Sequence, residues 1–173
     1  VSGVGNKIVY PELEAYKREV ENRLREKYQA YSRQDFLSVP VMQAYVQYYK
    51  RFSKTYHVLQ QVESIALKNK KLPTVSPLVD SNFIAEVETL ALAAGHDVSK
   101  LQGAVYMDVA KAGDQMIQMN GTSKEIYAGD MVMKDEHGIC CCIIYGQDNL
   151  SPISSKTSHA LYVVYAPVGV PVE

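Results

Sequence analysis

The chain has 173 residues, 47% of them hydrophobic, with 18 Lys and Arg against 19 Asp and Glu. That length can bury one good core with a small helical part beside it, so one compact unit is expected. No run of about eighteen apolar residues and no charged-then-apolar leader occurs, which excludes a spanning helix and predicts a soluble, cytoplasmic protein. The net charge of −1 conceals an asymmetry: residues 1–71 carry 13 Lys or Arg and 7 Asp or Glu, whereas residues 72–173 carry 5 and 12. A basic lobe beside an acidic one suits either a polyanion on the first or attraction between the two.

Pro11-Glu12-Leu13-Glu14 starts a helix with proline and acid in its first turn. Leu13, Tyr16, Val20, Leu24, Tyr28 and Tyr31 then recur at three and four residues, predicting a surface helix docked by one stripe with Lys17, Arg18, Arg23 and Arg25 outside. Ser38-Val39-Pro40 predicts the cap of the next helix, carrying Val41, Tyr45, Tyr48 and Tyr49 and ending in Lys50, Arg51 and Lys54. A third periodic run, Tyr56 to Leu67, ends in Lys68, Asn69, Lys70 and Lys71. Cations at helix ends are ordinary dipole partners. Here Tyr45, Tyr48, Tyr49 and Tyr56 interleave with them, the mixture a nucleic-acid groove uses for stacking and phosphate contact.

The stretch from Leu72 to Gly103 organises the rest of the chain. Ser76-Pro77 predicts a helix start, with the hydroxyl as cap and proline at the first helical position, and Gly95 predicts its end. Val79, Phe83, Val87, Leu90 and Ala94 form its apolar stripe, and Asp80 projects among them. A first-turn carboxylate answers the helix dipole. It also suits a carboxylate that turns back to hold neighbouring amides, because a buried charge needs partners.

From Ala104 onward, short runs alternate with turn residues: Ala104 to Ala110, Gln115 to Met119, Asp130 to Lys134, Ile139 to Tyr145 and Ala160 to Ala166. Asn120-Gly121 is a strong hairpin signal, and helices feeding such strands make an α+β fold. The Cys140-Cys141-Cys142-Ile143-Ile144 run is apolar on both faces, predicting a central strand. Adjacent strand cysteines point to opposite faces, so they read as small buried hydrophobes rather than metal ligands, and no metal or cofactor is expected. His57, His96, His137 and His159 are scattered, with His96-Asp97 the pair nearest the organising helix. Pro167 to Glu173 predicts a loose tail.

Leu72-Pro73, Ser76-Pro77-Leu78-Val79-Asp80 with Asn82, Gly95-His96-Asp97, Leu101 with Gly103, Ala110-Lys111 with Gly113-Asp114, Asn120-Gly121 and Gly129-Asp130 follow one another in an order that identifies a module. It resembles the tRNA-binding and editing region, domains three and four, of the phenylalanyl-tRNA synthetase beta subunit, and more closely the freestanding proteins made of this module alone. The resemblance runs from about Tyr45 to about Ala166. Beside the basic helical part read from the periodicity (1–71) and the tail (167–173), it implies a β/β/α layered sandwich of mostly antiparallel sheet over 72–166, one compact unit overall. It also implies a pocket near Asp80, Asn82, His96, Asp97 and Asp148 that takes an aminoacylated tRNA end or a small aromatic amino acid. Two editing residues of the bacterial modules are replaced: a histidine position is Ala94, with His96 two residues on, and a Gly-Gly-Glu loop corresponds to Gly146-Gln147-Asp148-Asn149. Catalytic residues are therefore not assigned, and nothing for aminoacylation is present.

The expected function is tRNA binding by Lys50, Arg51, Lys54, Lys70 and Lys71, with or without hydrolysis of a mischarged ester in trans. The alternatives are a pocket for a free amino acid or other small molecule, and a structural or partner-binding domain.

Overall fold

Proline at the head of three helices and glycine or left-handed turns between strands set the element boundaries. The computed structural model describes residues 1–6 and 10–171. Its helices are α1 (Pro11–Tyr28), α2 (Arg33–Ser38), α3 (Pro40–Lys50), α4 (His57–Ala66) and α5 (Pro77–Thr89). Its strands are β1 (Ala93–Asp97), β2 (Tyr106–Val109), β3 (Gln115–Ile117), β4 (Ser123–Glu125), β5 (Met131–Asp135), β6 (Gly138–Cys142), β7 (Gly146–Gln147) and β8 (Ala160–Val164). The protein is α+β, as its sequence predicts. It divides into a sheet unit, Val1–Lys7 with Ala94–Tyr165, and a helical unit, Ile8–Ala93 with Ala166–Glu173, so α5 groups with the helices.

In the helical unit α1 packs on α4 and α5, α4 on α5, and α2 on α3. The buried face of α1 is Lys17, Val20, Glu21, Leu24 and Tyr28. The stripe is where the periodicity puts it, but Tyr16 is 42% exposed and Lys17 is fully buried, the reverse of expectation. Lys17 is tolerated there because its three ammonium protons have three acceptors: Glu14 Oε1 at 2.7 Å, Thr74 Oγ1 at 2.7 Å and Asp80 Oδ2 at 2.9 Å.

Ser38 does not cap α3. It closes α2 by donating its hydroxyl to Asp35 O, and α2 itself, absent from the sequence expectations, starts with a Ser32/Asp35 capping box. The tyrosines expected to stack on bases are instead core. Tyr45 and Tyr56 are both fully buried and stack at 4.4 Å between ring centroids, with Tyr49 against Tyr56 at 5.2 Å. Their hydroxyls hold the exit from α5: Tyr56 donates to Leu90 O (3.0 Å), and Leu92 N donates to Tyr45 (2.9 Å).

That exit comes earlier than Gly95. Leu90 ends α5 in the left-handed conformation (φ 62°), its amide bonded to Glu86 O, and Gly95 lies inside β1. A methyl on Gly95 would meet Ile153 Cδ1 at 2.5 Å and Tyr162 Cε1 at 2.8 Å, so close approach, not chain reversal, requires glycine. The expected loose tail is partly docked: Pro167 is buried, and a Cβ on Gly169 would touch Ala44 Cβ at 3.4 Å, while Val172 and Glu173 lie outside the described residues.

The sheet unit has three small sheets, β1-β8, β2-β5-β6-β7 and β3-β4. The β2–β5, β3–β4, β5–β6 and β6–β7 pairs are antiparallel. Asn120-Gly121 turns the β3–β4 hairpin, with Gly121 at φ 82° and its amide on Gln118 O. The cysteine strand β6 is interior, flanked by β5 and β7, and all three thiols are buried. Cys142 joins Ala110, Met116, Ile126 and Val132 in the core. Burial pushes the Cys140 and Cys141 thiols up to about 12, so neither is a ready nucleophile.

Candidate functional site

The predicted site residues fall in both units. Asp80 and Asn82 belong to α5. Asp80 leaves the helix face as one reading of the sequence requires: Oδ1 accepts from Val75 N (2.8 Å) and Ser76 N (3.3 Å), and Oδ2 pairs with Lys17. The Ser76 hydroxyl makes no cap bond, so the carboxylate does the work expected of it. Asp80 is 3% exposed and both its oxygens are engaged. Asn82 donates to Ala93 O at 3.3 Å, tying the helix to the segment after it.

His96, Asp97 and Asp148 belong to the sheet unit, and two of them meet through a residue the sequence reading missed. Ser151 Oγ lies 2.6 Å from Asp148 Oδ1 and 2.8 Å from His96 Nδ1. A carboxylate only accepts, so the single hydroxyl proton points at Asp148 and the imidazole donates from Nδ1. The Ser151 amide adds a second bond to Asp148 Oδ1 (3.0 Å). His96 Nε2 is then a bare acceptor, buried and without a partner. Burial depresses the His96 pKa to about 4 despite the nearby Asp148 and Asp135, so the ring is neutral at pH 7. Gln147 Nε2 donates to Gly95 O at 2.7 Å, fixing the backbone beside it.

Asp97 points into a different cluster. It accepts from Ser99 N (2.9 Å), Ser99 Oγ (2.7 Å) and Thr157 Oγ1 (2.6 Å). Against the upward pull of burial, those hydroxyls hold its carboxyl below the usual range. The legible signal for Ser151 was the Asp148-x-x-Ser151 spacing, a side-chain-to-backbone turn. For Lys17 it was a lysine in register with Val20 and Leu24, one turn after Glu14.

The cations Lys50, Arg51, Lys54, Lys70 and Lys71 are all exposed on the helical unit. Arg51 lies over the Tyr48 and Phe52 rings at 5.1 and 5.2 Å. Ion pairs in this unit engage Lys17, Arg18, Arg23, Arg25 and Arg33, while Lys50, Lys70 and Lys71 make none among the described residues.

A family profile described as the B3/4 domain matches residues 42–170. The chain belongs to the B3/4-domain family. This is the phenylalanyl-tRNA synthetase beta-subunit module whose motif order the sequence resembles. The match takes in α3 from Met42 onward, α4, α5 and strands β1 to β8, and leaves α1 and α2 outside it. Asp80 of the B3/4 domain thus takes its charge partner, Lys17, from a segment beyond the family match. No curated protein sequence matches the chain. Among the described residues, no helix is long and apolar enough to cross a membrane.

Proposed function

We propose that this B3/4 protein binds tRNA through the exposed cations of its helical unit. The observation that carries the reading is that Lys50, Lys70 and Lys71 stay exposed and make no ion pair among the described residues, whereas Lys17, Arg18, Arg23, Arg25 and Arg33 of the same unit are engaged in ion pairs. Uncommitted lysines of one unit are suited to phosphate oxygens, which position a nucleic acid without reading its sequence. Burial of Tyr45, Tyr48, Tyr49 and Tyr56 removes them as stacking platforms. Affinity therefore rests on charge, with Arg51 and Lys54 adding to the three lysines.

Hydrolysis of a mischarged aminoacyl ester in trans is a second reading, favoured by one observation, the bare Nε2 of a neutral His96. A neutral imidazole nitrogen is the type of group that accepts a proton from an attacking water. At 0% exposure it acts only if the turn carrying Ser151 opens.

The test of binding is retention of tRNA at low salt by the wild-type protein and its loss when the five cations are together changed to Gln. Equal tRNA binding by both proteins removes the proposal. Incubation with tyrosyl- and phenylalanyl-charged tRNA tests the second reading, which falls if both esters decay at their uncatalysed rate.

A further inference from the structure

The helical unit also holds a groove of about 430 Å³ lined by α4, the strap after it and α5. Its floor is Ile65, Leu72 and Val87, all buried, with half-buried Phe83 on one wall. Its polar side is His57, Gln60, Gln61 and Ser64, and Lys70 and Lys71 complete the lining, which contains no carboxylate among the described residues. Volumes of about 300–1,000 Å³ are usual for sites that enclose a small molecule.

Two observations show what such a molecule must offer. The Gln61 side-chain oxygen is buried and has no hydrogen-bond partner. A buried acceptor left unpaired is costly; this oxygen is closed off from the groove, so an occupant's N–H satisfies it once the Gln61 side chain, which lines the groove, turns into the recess. The lysines are carried by a fixed strap. Asn69 reverses the chain at φ 54°, Lys70 N donates to Ser64 O (2.9 Å), Arg25 donates to Lys70 O (3.1 Å) and Leu72 N donates to Glu21 Oε1 (2.7 Å). A strap held at both ends places positive charge beside an apolar recess before anything binds, which lowers the ordering cost of binding.

We infer that this groove takes a nucleoside phosphate: a flat base against Phe83 and Val87, its edge N–H on Gln61, its phosphate at Lys70 and Lys71. The inference rests on the tRNA reading, where the occupant is one unpaired nucleotide of the bound RNA. Single-stranded RNA is recognised in this way, by enclosing a splayed base and pairing its edge with side chains. A free nucleotide carries the same chemistry.

The probes are AMP, adenosine, benzoate, inorganic phosphate and a four-residue oligoadenylate, followed by NMR of the Ile65, Leu72 and Val87 methyl groups in the full chain. AMP and the oligonucleotide are expected to shift these methyls. Gln61→Leu is expected to weaken AMP by about tenfold, the loss of one buried hydrogen bond. It leaves tRNA binding through Lys50, Arg51 and Lys54 measurable. Lys70→Gln with Lys71→Gln is expected to weaken AMP while leaving adenosine unchanged. If tRNA binds but AMP and the oligonucleotide leave the methyls unmoved, the groove inference fails and the tRNA reading stands. If AMP binds and tRNA does not, the groove stands as a free-nucleotide site and the tRNA reading fails. Benzoate binding as tightly as AMP, or Gln61→Leu leaving AMP affinity unaltered, overturns the nucleotide assignment.

Discussion

Replacing Lys17 by Met keeps the length and most of the packing of the side chain but removes the cation bonded to buried Asp80. Lys17 and Asp80 are 0% and 3% exposed and lie 2.9 Å apart. The other two acceptors of the ammonium matter less. Glu14 is 31% exposed and can turn to water, and Thr74 is at the surface. The cost therefore comes mainly from Asp80, whose Oδ2 is left bare while Oδ1 keeps the Val75 and Ser76 amides. Breaking one side of a buried pair costs about 3–5 kcal/mol. Asp80→Asn keeps an acceptor for the two amides and leaves Lys17 on Glu14, so it is expected to cost about 2–3 kcal/mol, the value of a charged hydrogen bond. The double variant removes both charges and is expected to cost about 1–3 kcal/mol less than the sum of the singles. Urea unfolding followed by tyrosine fluorescence measures this, since the chain has 13 Tyr and no Trp. Amide exchange over α1 and α5 localises the effect. A cost for Lys17→Met of under about 1 kcal/mol, the range of exposed pairs, refutes the reasoning; so do strictly additive singles.

The two units are expected to respond oppositely to pH. Burial raises Glu86 from 4.5 to about 7, so between those values the folded chain holds a proton the unfolded chain has lost, and the helical unit loses stability as pH rises. His96 is depressed from 6.5 to about 4, so the sheet unit keeps its full stability above pH 6.5 and loses it as pH falls toward 4. Each effect is at most about 3–4 kcal/mol. Amide exchange by unit from pH 4.5 to 7 reads both, Glu86→Gln and His96→Gln should flatten their own unit's profile, and parallel profiles contradict the account. Tyr56→Phe strips the donor from Leu90 O and Tyr45→Phe strips the acceptor from Leu92 N; each should cost about 1–3 kcal/mol in urea unfolding, and a neutral result would deny these hydroxyls a role at the α5 exit. Gly95→Ala drives a methyl into Ile153 and Tyr162 and should cost about 1–3 kcal/mol; an unchanged midpoint would mean these neighbours give way freely.

Much of the architecture was legible because it depends on local signals. Pro11, Pro40 and Pro77 mark helix starts, Asn120-Gly121 marks a hairpin, and the doubly apolar Cys140 run marks an interior strand. What was not legible depends on partners distant in sequence. Lys17 reads as solvated until Asp80, 63 residues away, supplies a counter-charge. Tyr45 and Tyr56 look available for stacking until each is seen filling the other's face. The helix end at Leu90 was hidden because a left-handed leucine is disfavoured locally and is held by Tyr56 and its own burial. Of the candidate site, His96 and Asp148 were named without the serine that joins them, because turn chemistry at Asp148-x-x-Ser151 is weak next to the family motifs.

The most direct measurement is the affinity of the protein for tRNA as a function of salt. Five phosphate contacts predict that the logarithm of the association constant falls with the logarithm of salt concentration with a slope of about −4 to −5. Changing Lys50, Arg51, Lys54, Lys70 and Lys71 to Gln should remove the binding already at low salt, leaving no salt-dependent association. No binding at low salt by the wild-type protein, or an undiminished slope in the variant, contradicts the account.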